Sequence, residues 1–227
     1  MTADTDRSFV VAIDGPAGAG KSTVARRVAA DMGFGYVDSG ALYRTAALAA
    51  LRADIELEDE QGVAARISGA RIALNADSTS VQLDGEEVST AIRTPEVSQA
   101  ASKVSALPAV RRALVDLQRR AAQDPGIVAD GRDIGTVIFP DAGLKVFLDA
   151  DPAERAKRRT EELVAAGKTA NFLEVRKEMD ERDDRDRNRD VAPLRPADDA
   201  IIVDSTAMGI DEVVALIVNE IRVRIST

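Results

Sequence analysis

Neither cysteine nor histidine occurs among the 227 residues. Without cysteine there is no disulfide framework, no thiol nucleophile and no thiolate metal site. Without histidine the usual general base and the usual zinc ligand are missing, so a hydrolase triad built on histidine is impossible. Chemistry here must rest on Lys, Arg, carboxylates, hydroxyls and a bound cation. Tryptophan is absent too and aromatics make up only 3% of the chain, too few for platforms that stack single-stranded bases. The formal net charge of −9 argues against sequence-independent binding to nucleic acid or to an anionic membrane. No apolar run approaches the roughly 18 residues of a spanning helix. Met1 to Ser8 is polar, with no signal-peptide core. These absences predict a cytoplasmic protein with no nucleic-acid or membrane partner, and a monomer is expected. The length suits one α/β domain with insertions.

What is present is concentrated near the start. Gly15-Pro16-Ala17-Gly18-Ala19-Gly20-Lys21-Ser22 fits the phosphate-binding pattern G-x-x-x-x-G-K-[ST] at every specified position. Glycines let the backbone curl so that successive N–H groups face one anionic centre, and the following helix adds its positive end. Lys21 is placed to reach β- and γ-phosphates, and the Ser22 hydroxyl to ligate magnesium. The ATP site is therefore read as Gly15 to Ser22 together with Thr23, the next residue of the helix. Phe9-Val10-Val11-Ala12-Ile13 before the loop is a short apolar run, as a buried parallel strand should be. After the loop, Val24, Val28 and Met32 share a helical face.

Three further runs read as buried strands: Ile127-Val128-Ala129, Lys145-Val146-Phe147-Leu148 and Ala200-Ile201-Ile202-Val203. Helical patterns between them imply a mostly parallel sheet flanked by helices. Thr94-Pro95 and Asp151-Pro152 each set a capping residue before a proline at the first helical position, and Asp124-Pro125-Gly126 reads as a turn. The βα rhythm breaks once. Arg71 to Leu74 and Val81 to Asp84 alternate, Asn75 to Ser80 is polar, Asp84-Gly85 signals a hairpin, and Glu86 to Val88 suits a third short strand. Residues 64–93 are thus expected to form a small antiparallel insertion.

A phosphate loop alone does not choose between kinases, GTPases and motor ATPases. No Asn-Lys-x-Asp string for guanine is present. Arginines recur instead near predicted strand ends. Asp38-Ser39-Gly40-Ala41-Leu42-Tyr43-Arg44 follows the apolar Tyr36-Val37, and Asp130-Gly131-Arg132-Asp133 follows the strand at 127–129. Ligands of open α/β sheets sit beyond the carboxyl ends of strands, so both clusters point to the crevice of the phosphate loop. Asp130 is placed to hold the magnesium shell through water. A third cluster is Glu181-Arg182-Asp183-Asp184-Arg185-Asp186-Arg187-Asn188-Arg189-Asp190. The apolar stripe Phe172, Val175, Met179 continues through Arg182, Asp186 and Arg189, as expected of a helix running from core into a polar cleft. Transfer between two polyanions demands such cations: two unit charges 4 Å apart repel by about 4 kcal/mol at an effective dielectric of 20. A monophosphate acceptor already carries its nucleophilic oxygen as an anion and needs no general base.

Together these clusters resemble the bacterial cytidylate kinases, from Val10 to about Arg222. The strings G-P-A-G-A-G-K-S, D-S-G-A-L-Y-R, A-D-G-R-D-I-G-T-V-I-F-P-D-A and E-R-D-D-R-D-R-N-R-D-V-A-P-L carry the likeness. The first is shared by many kinases; the last two are far more specific. The resemblance implies one P-loop kinase domain over residues 1–227. The segment at 64–93 would be the extra sheet of the longer bacterial form, in the acceptor region, and a helical lid would lie near 155–170. It implies phosphoryl transfer from ATP to CMP or dCMP with Mg²⁺. Ser39, Arg111 and Asp133 would surround cytosine. Ser102, Arg182 and Asp186 would bind the pentose, and Arg44, Arg132 and Arg189 the acceptor phosphate. Arg158, in the run Arg155-Ala156-Lys157-Arg158-Arg159, would close over ATP; with Lys21, Arg132 and Arg189 it makes up the catalytic set. Ser22 stands where the family has Gly or Ser, which leaves the magnesium contact available. Two other readings stay open: the same architecture with another acceptor, such as UMP or a small metabolite, and a regulatory nucleotide-binding switch with no acceptor.

Overall fold

A computed structural model describes residues 9–75, 80–120 and 125–226. Met1 to Ser8, the middle of the Asn75–Ser80 turn, and Asp124 of the turn at 124–126 lie outside the described residues.

Five strands form the central sheet: β1 (Phe9–Asp14), β2 (Gly35–Asp38), β6 (Gly126–Gly131), β7 (Leu144–Asp149) and β8 (Ile201–Asp204). Their order is β2-β6-β1-β7-β8, and every neighbouring pair is parallel. The centre reads as continuous apolar sequence because both faces are covered. Val11 and Ile13 pack with α1 (Lys21–Met32) and α8 (Ile210–Ile225) on one side. Ala12 turns to the other side, against Ile127, Ala129 and Ile134. Four of these strands end on an aspartate, namely Asp14, Asp38, Asp149 and Asp204, and β6 carries Asp130 one residue before its end. Of these, Asp38 and Asp130 line the crevice above the sheet.

A second core lies beside the sheet. It joins α2 (Ser39–Arg52), α3 (Glu60–Ser68), α4 (Pro95–Val104) and α5 (Pro108–Arg120) to a small antiparallel sheet of β3 (Ile72–Leu74), β4 (Val81–Leu83) and β5 (Glu86–Glu87). Five alanines of α2 are buried there (Ala41, Ala46, Ala47, Ala49 and Ala50), so neighbouring helices approach closely. The β4–β5 turn has positive φ at both Asp84 (54°) and Gly85 (90°), the pairing a two-residue hairpin favours. The antiparallel segment is shorter than the 64–93 expected from alternation. Residues 64–68 instead finish α3, because Asp59 caps that helix and Val63 and Ile67 are buried one turn apart.

The proline-led helices start where capping chemistry puts them. Thr94 accepts from Val97 N–H, and Asp151 accepts from Ala153 and Glu154 N–H at the start of α6 (Pro152–Ala165). Helix α7 (Phe172–Asn188) buries Val175 and Met179 against α6 and Asp186 further along, as its stripe predicts, and also Asp183, which that stripe leaves out. Among the described residues, no helix is long and apolar enough to cross a membrane.

Candidate active site

The loop between β1 and α1 is shaped by its neighbours. Gly15 has φ 149°, and a Cβ there would stand 2.0 Å from the carbonyl oxygen of Leu148 in β7. Only glycine lets the chain turn that close to the adjacent strand. Gly15→Ala is therefore expected to lower unfolding stability by about 1–3 kcal/mol through forced displacement. A urea titration reads this directly, and an unchanged midpoint would contradict it. Gly20, with φ 88°, is the N-cap of α1 and supplies no side-chain cap. The orphan N–H groups of the first turn are thus left to an anion.

Lys21 lies buried at this helix start, and its Nζ donates to Pro16 O at 2.6 Å. Burial, reinforced by the like charge of Arg132, pushes its pKa down to about 7. An arriving phosphate would favour the charged form. Next to it, Ser22 Oγ donates to Asp130 Oδ2 at 2.9 Å, and Tyr36 OH donates to Asp130 Oδ1 at 2.5 Å. Burial and the nearby Asp38 carboxylate push the Asp130 pKa up. These are hard oxygen donors beside a phosphate loop. Among the described residues no cluster of three or more metal-ligating side chains exists. That donor set fits Mg²⁺, which takes one or two protein oxygens and completes its shell with water and phosphate.

Facing the loop across a cavity of about 550 Å³ is the arginine side. Ser39, Arg44, Ser102, Arg132, Asp133, Arg182, Asp186 and Arg189 all line it, together with Lys21, Ser22 and Asp130 from the loop side. Arg132 Nε donates to Asp186 Oδ2 at 2.8 Å, and Ser102 Oγ approaches Asp186 Oδ1 at 3.4 Å. Burial opposes the Asp186 charge, but Arg132 and Arg182 outweigh it and hold its carboxyl below the usual range. Arg182 shows the opposite balance: burial and Arg132 lower its pKa to about 10. The buried Nε atoms of Arg44 and Arg182 have no hydrogen-bond partner. Arg44 is otherwise paired with Asp38 through Nη2 at 3.1 Å, and Arg182 Nε stands 4.0 Å from Asp186, so the anion-binding character of the wall rests on four guanidiniums, Arg44, Arg132, Arg182 and Arg189, gathered on one cavity.

Asp133 sits between two guanidiniums, receiving Arg111 Nη2 at Oδ2 and Arg189 Nη2 at Oδ1, the latter at 3.3 Å. Arg111 also lies 5.6 Å from the centre of the Tyr43 ring and donates to Ser105 O. Arg111 itself is behind Asp133 rather than on the cavity wall. Arg158 is not brought to the cavity either. It donates to Glu154 and to the Ser205 carbonyl after β8, while Arg159, one residue on, reaches the wall. Gly15, Pro16 and Ala19 form the back of the loop, and Ala17, Gly18, Gly20 and Thr23 its cavity side.

Asp14 carries no signal in the sequence beyond being an acid that ends an apolar strand. Its two carboxylate oxygens accept the N–H groups of Ile134 and Gly135, each at 2.7 Å. Burial pushes its pKa up to about 7 against those two bonds. The contact pins the strand before the phosphate loop to the π-helical stretch Ile134–Ile138 that follows Arg132 and Asp133.

The family model for cytidylate kinase matches residues 11–223 of this chain. The chain belongs to the cytidylate kinase family. It is 51% identical over 210 residues to the cytidylate kinase of Aeromonas salmonicida, spanning 92% of this chain and 91% of that one. Against the cytidylate kinase of Shewanella sp. strain MR-4 it is 48% identical over 226 residues, 98% of each chain. In fold it is similar to an uncharacterized protein from Eubacterium ventriosum, with a TM-score of 0.52 at 15% identity, covering 95% of this chain and 99% of that one. Membership makes the chain a nucleoside monophosphate kinase, an enzyme that phosphorylates a nucleotide with ATP. The arginine side of the cavity is what a switch without an acceptor would leave without purpose.

Proposed function

We propose that this cytidylate kinase family member catalyses ATP + CMP (or dCMP) ⇌ ADP + CDP (or dCDP), as a monomer in the cytoplasm. The observation that carries the reading is the pairing, in one cavity, of an uncapped phosphate loop with a wall of four arginines, Arg44, Arg132, Arg182 and Arg189. Loop N–H groups and Lys21 hold the donor phosphates. Arg44, Arg132 and Arg189 hold the acceptor phosphate in line, offsetting the repulsion between the two anions. Ser39, Arg111 and Asp133 read the base, with Arg111 acting through Asp133. Ser102, Arg182 and Asp186 orient the pentose. Arg158 would join the donor side only by a lid movement that released it from Ser205. Ser22 and Asp130 would hold Mg²⁺, whose chemistry is to neutralise charge on the transferring phosphates. The acceptor oxygen is already anionic, so no residue need take its proton.

Asp186→Ala tests the acceptor half. Asp186 both faces the pentose position and anchors Arg132, so its loss removes one contact and frees another. A lost charged hydrogen bond costs about 1.5–3 kcal/mol. KM for CMP should rise about tenfold or more while KM for ATP changes little. Equal rises for both substrates would make Asp186 a structural residue.

A further inference from the structure

Asp183 and Arg155 have no part in the chemistry above, yet their side chains are 1% and 2% exposed. Among the described residues no ion pair is more enclosed. Arg155 Nη1 donates to Asp183 Oδ2 at 2.5 Å. The same pair grips the phosphate loop: Ala17 N–H donates to Asp183 Oδ1 at 3.1 Å, and Arg155 Nη1 donates to Ala17 O at 2.9 Å. Both backbone polar groups of Ala17 are thus taken. Arg155 Nε is in turn fixed to Ala150 O just after β7. The next residue is clamped by shape, since a Cβ on Gly18 would meet Met179 Cε at 2.6 Å and Arg155 O at 2.9 Å.

A lone carboxylate this close to a phosphate loop would repel the ligand. Arg155 cancels that charge, so Asp183 can accept from the loop without opposing the phosphates. Asp183 also shares α7 with Arg182 and Asp186, its neighbours toward the acceptor side. Helix α7 is held there independently, by Arg185 to Gln99 at 2.6 Å and by Asp186 to Arg132. Loosening the pair therefore frees the loop rather than the helix.

We infer that Asp183 and Arg155 are positioning residues that hold the Ala17 peptide and fix the phosphate loop against α6 and α7 for the donor nucleotide. This rests on the kinase reading and names further residues serving its donor site. The test titrates wild type, Asp183→Asn and Arg155→Lys calorimetrically with ADP alone and with CMP alone, alongside thermal melts. The first variant keeps the size of the group and removes its charge; the second keeps the charge and removes the fork. ADP dissociation constants should rise about tenfold or more, and those of CMP stay within about twofold. The inference is overturned if folded variants bind ADP as wild type does, or lose ADP and CMP equally. Should Asp183→Asn not fold, the ADP and CMP constants of Arg155→Lys decide alone. Failure of wild type to bind CMP would instead count against the proposed substrate, leaving the ADP comparison intact.

Discussion

Lys21→Ala is expected to lower turnover by about 10²-fold or more, because it removes a charged donor from phosphates that gain charge density in the transition state. The fold should not suffer. The ammonium is buried with its pKa depressed to about 7, so folding works against its charge. The sign follows from proton binding. Between the folded value near 7 and the unfolded value of 10.5, the unfolded chain holds more protons, and stability rises with pH. Lysine's cost to folding is full below about pH 7 and fades toward the unfolded value. The melting temperature of the alanine variant should thus equal or exceed that of wild type at pH 7, with a smaller difference at pH 9. Near wild-type turnover would remove Lys21 from the phosphate site.

Base choice should collapse when Asp133 is changed. Cytosine presents an amine where uracil presents a carbonyl, and a carboxylate accepts from the first and repels the second. Asp133 already accepts from Arg111 and Arg189 and has lone pairs to spare. Discrimination by a polar contact of this kind can reach several orders of magnitude, because the wrong base leaves buried groups unpaired. Asp133→Ala should cut kcat/KM for CMP strongly and for UMP much less. It also strands Arg111, which is almost fully buried, and breaking a buried pair costs about 3–5 kcal/mol. Asp133→Asn, of equal size, is therefore the better folded control. It should narrow the CMP/UMP ratio in the same direction. A ratio unchanged while both rates fall together would make Asp133 a structural residue.

The phosphate loop is readable from sequence because its pattern is local. A glycine loop between an apolar strand and an amphipathic helix fixes geometry within about 25 neighbouring residues. Helix starts at Thr94 and Asp151 are readable for the same reason. The arginine wall of the cavity is readable as three clusters, two at strand ends that open on one crevice and one on the charged continuation of the α7 stripe. What stays hidden depends on distant partners. Asp183 lies four residues after Met179 and three before Asp186, so it falls on the buried stripe of α7. The alternating charges around it mask that spacing, and Arg182 continues the apolar stripe equally well on paper. Its partner Arg155 stands 28 positions away in the chain. Asp14 looks like the end of a strand, and its bonds to Ile134 and Gly135 need the sheet to exist first. Arg158 and Arg159 are indistinguishable by type; only the pitch of α6 sends one to Ser205 and the other to the cavity.

The most direct measurement is acceptor-dependent ADP release at saturating Mg-ATP, with CMP, dCMP, UMP, AMP and GMP compared as acceptors. The proposed arrangement, a donor loop facing an arginine-lined acceptor site in which Asp133 reads the base, predicts fast release with CMP and dCMP, slower release with UMP, and near-background release with the purines or with no acceptor. Release that is independent of the acceptor, or fastest with a purine monophosphate or UMP, would contradict it.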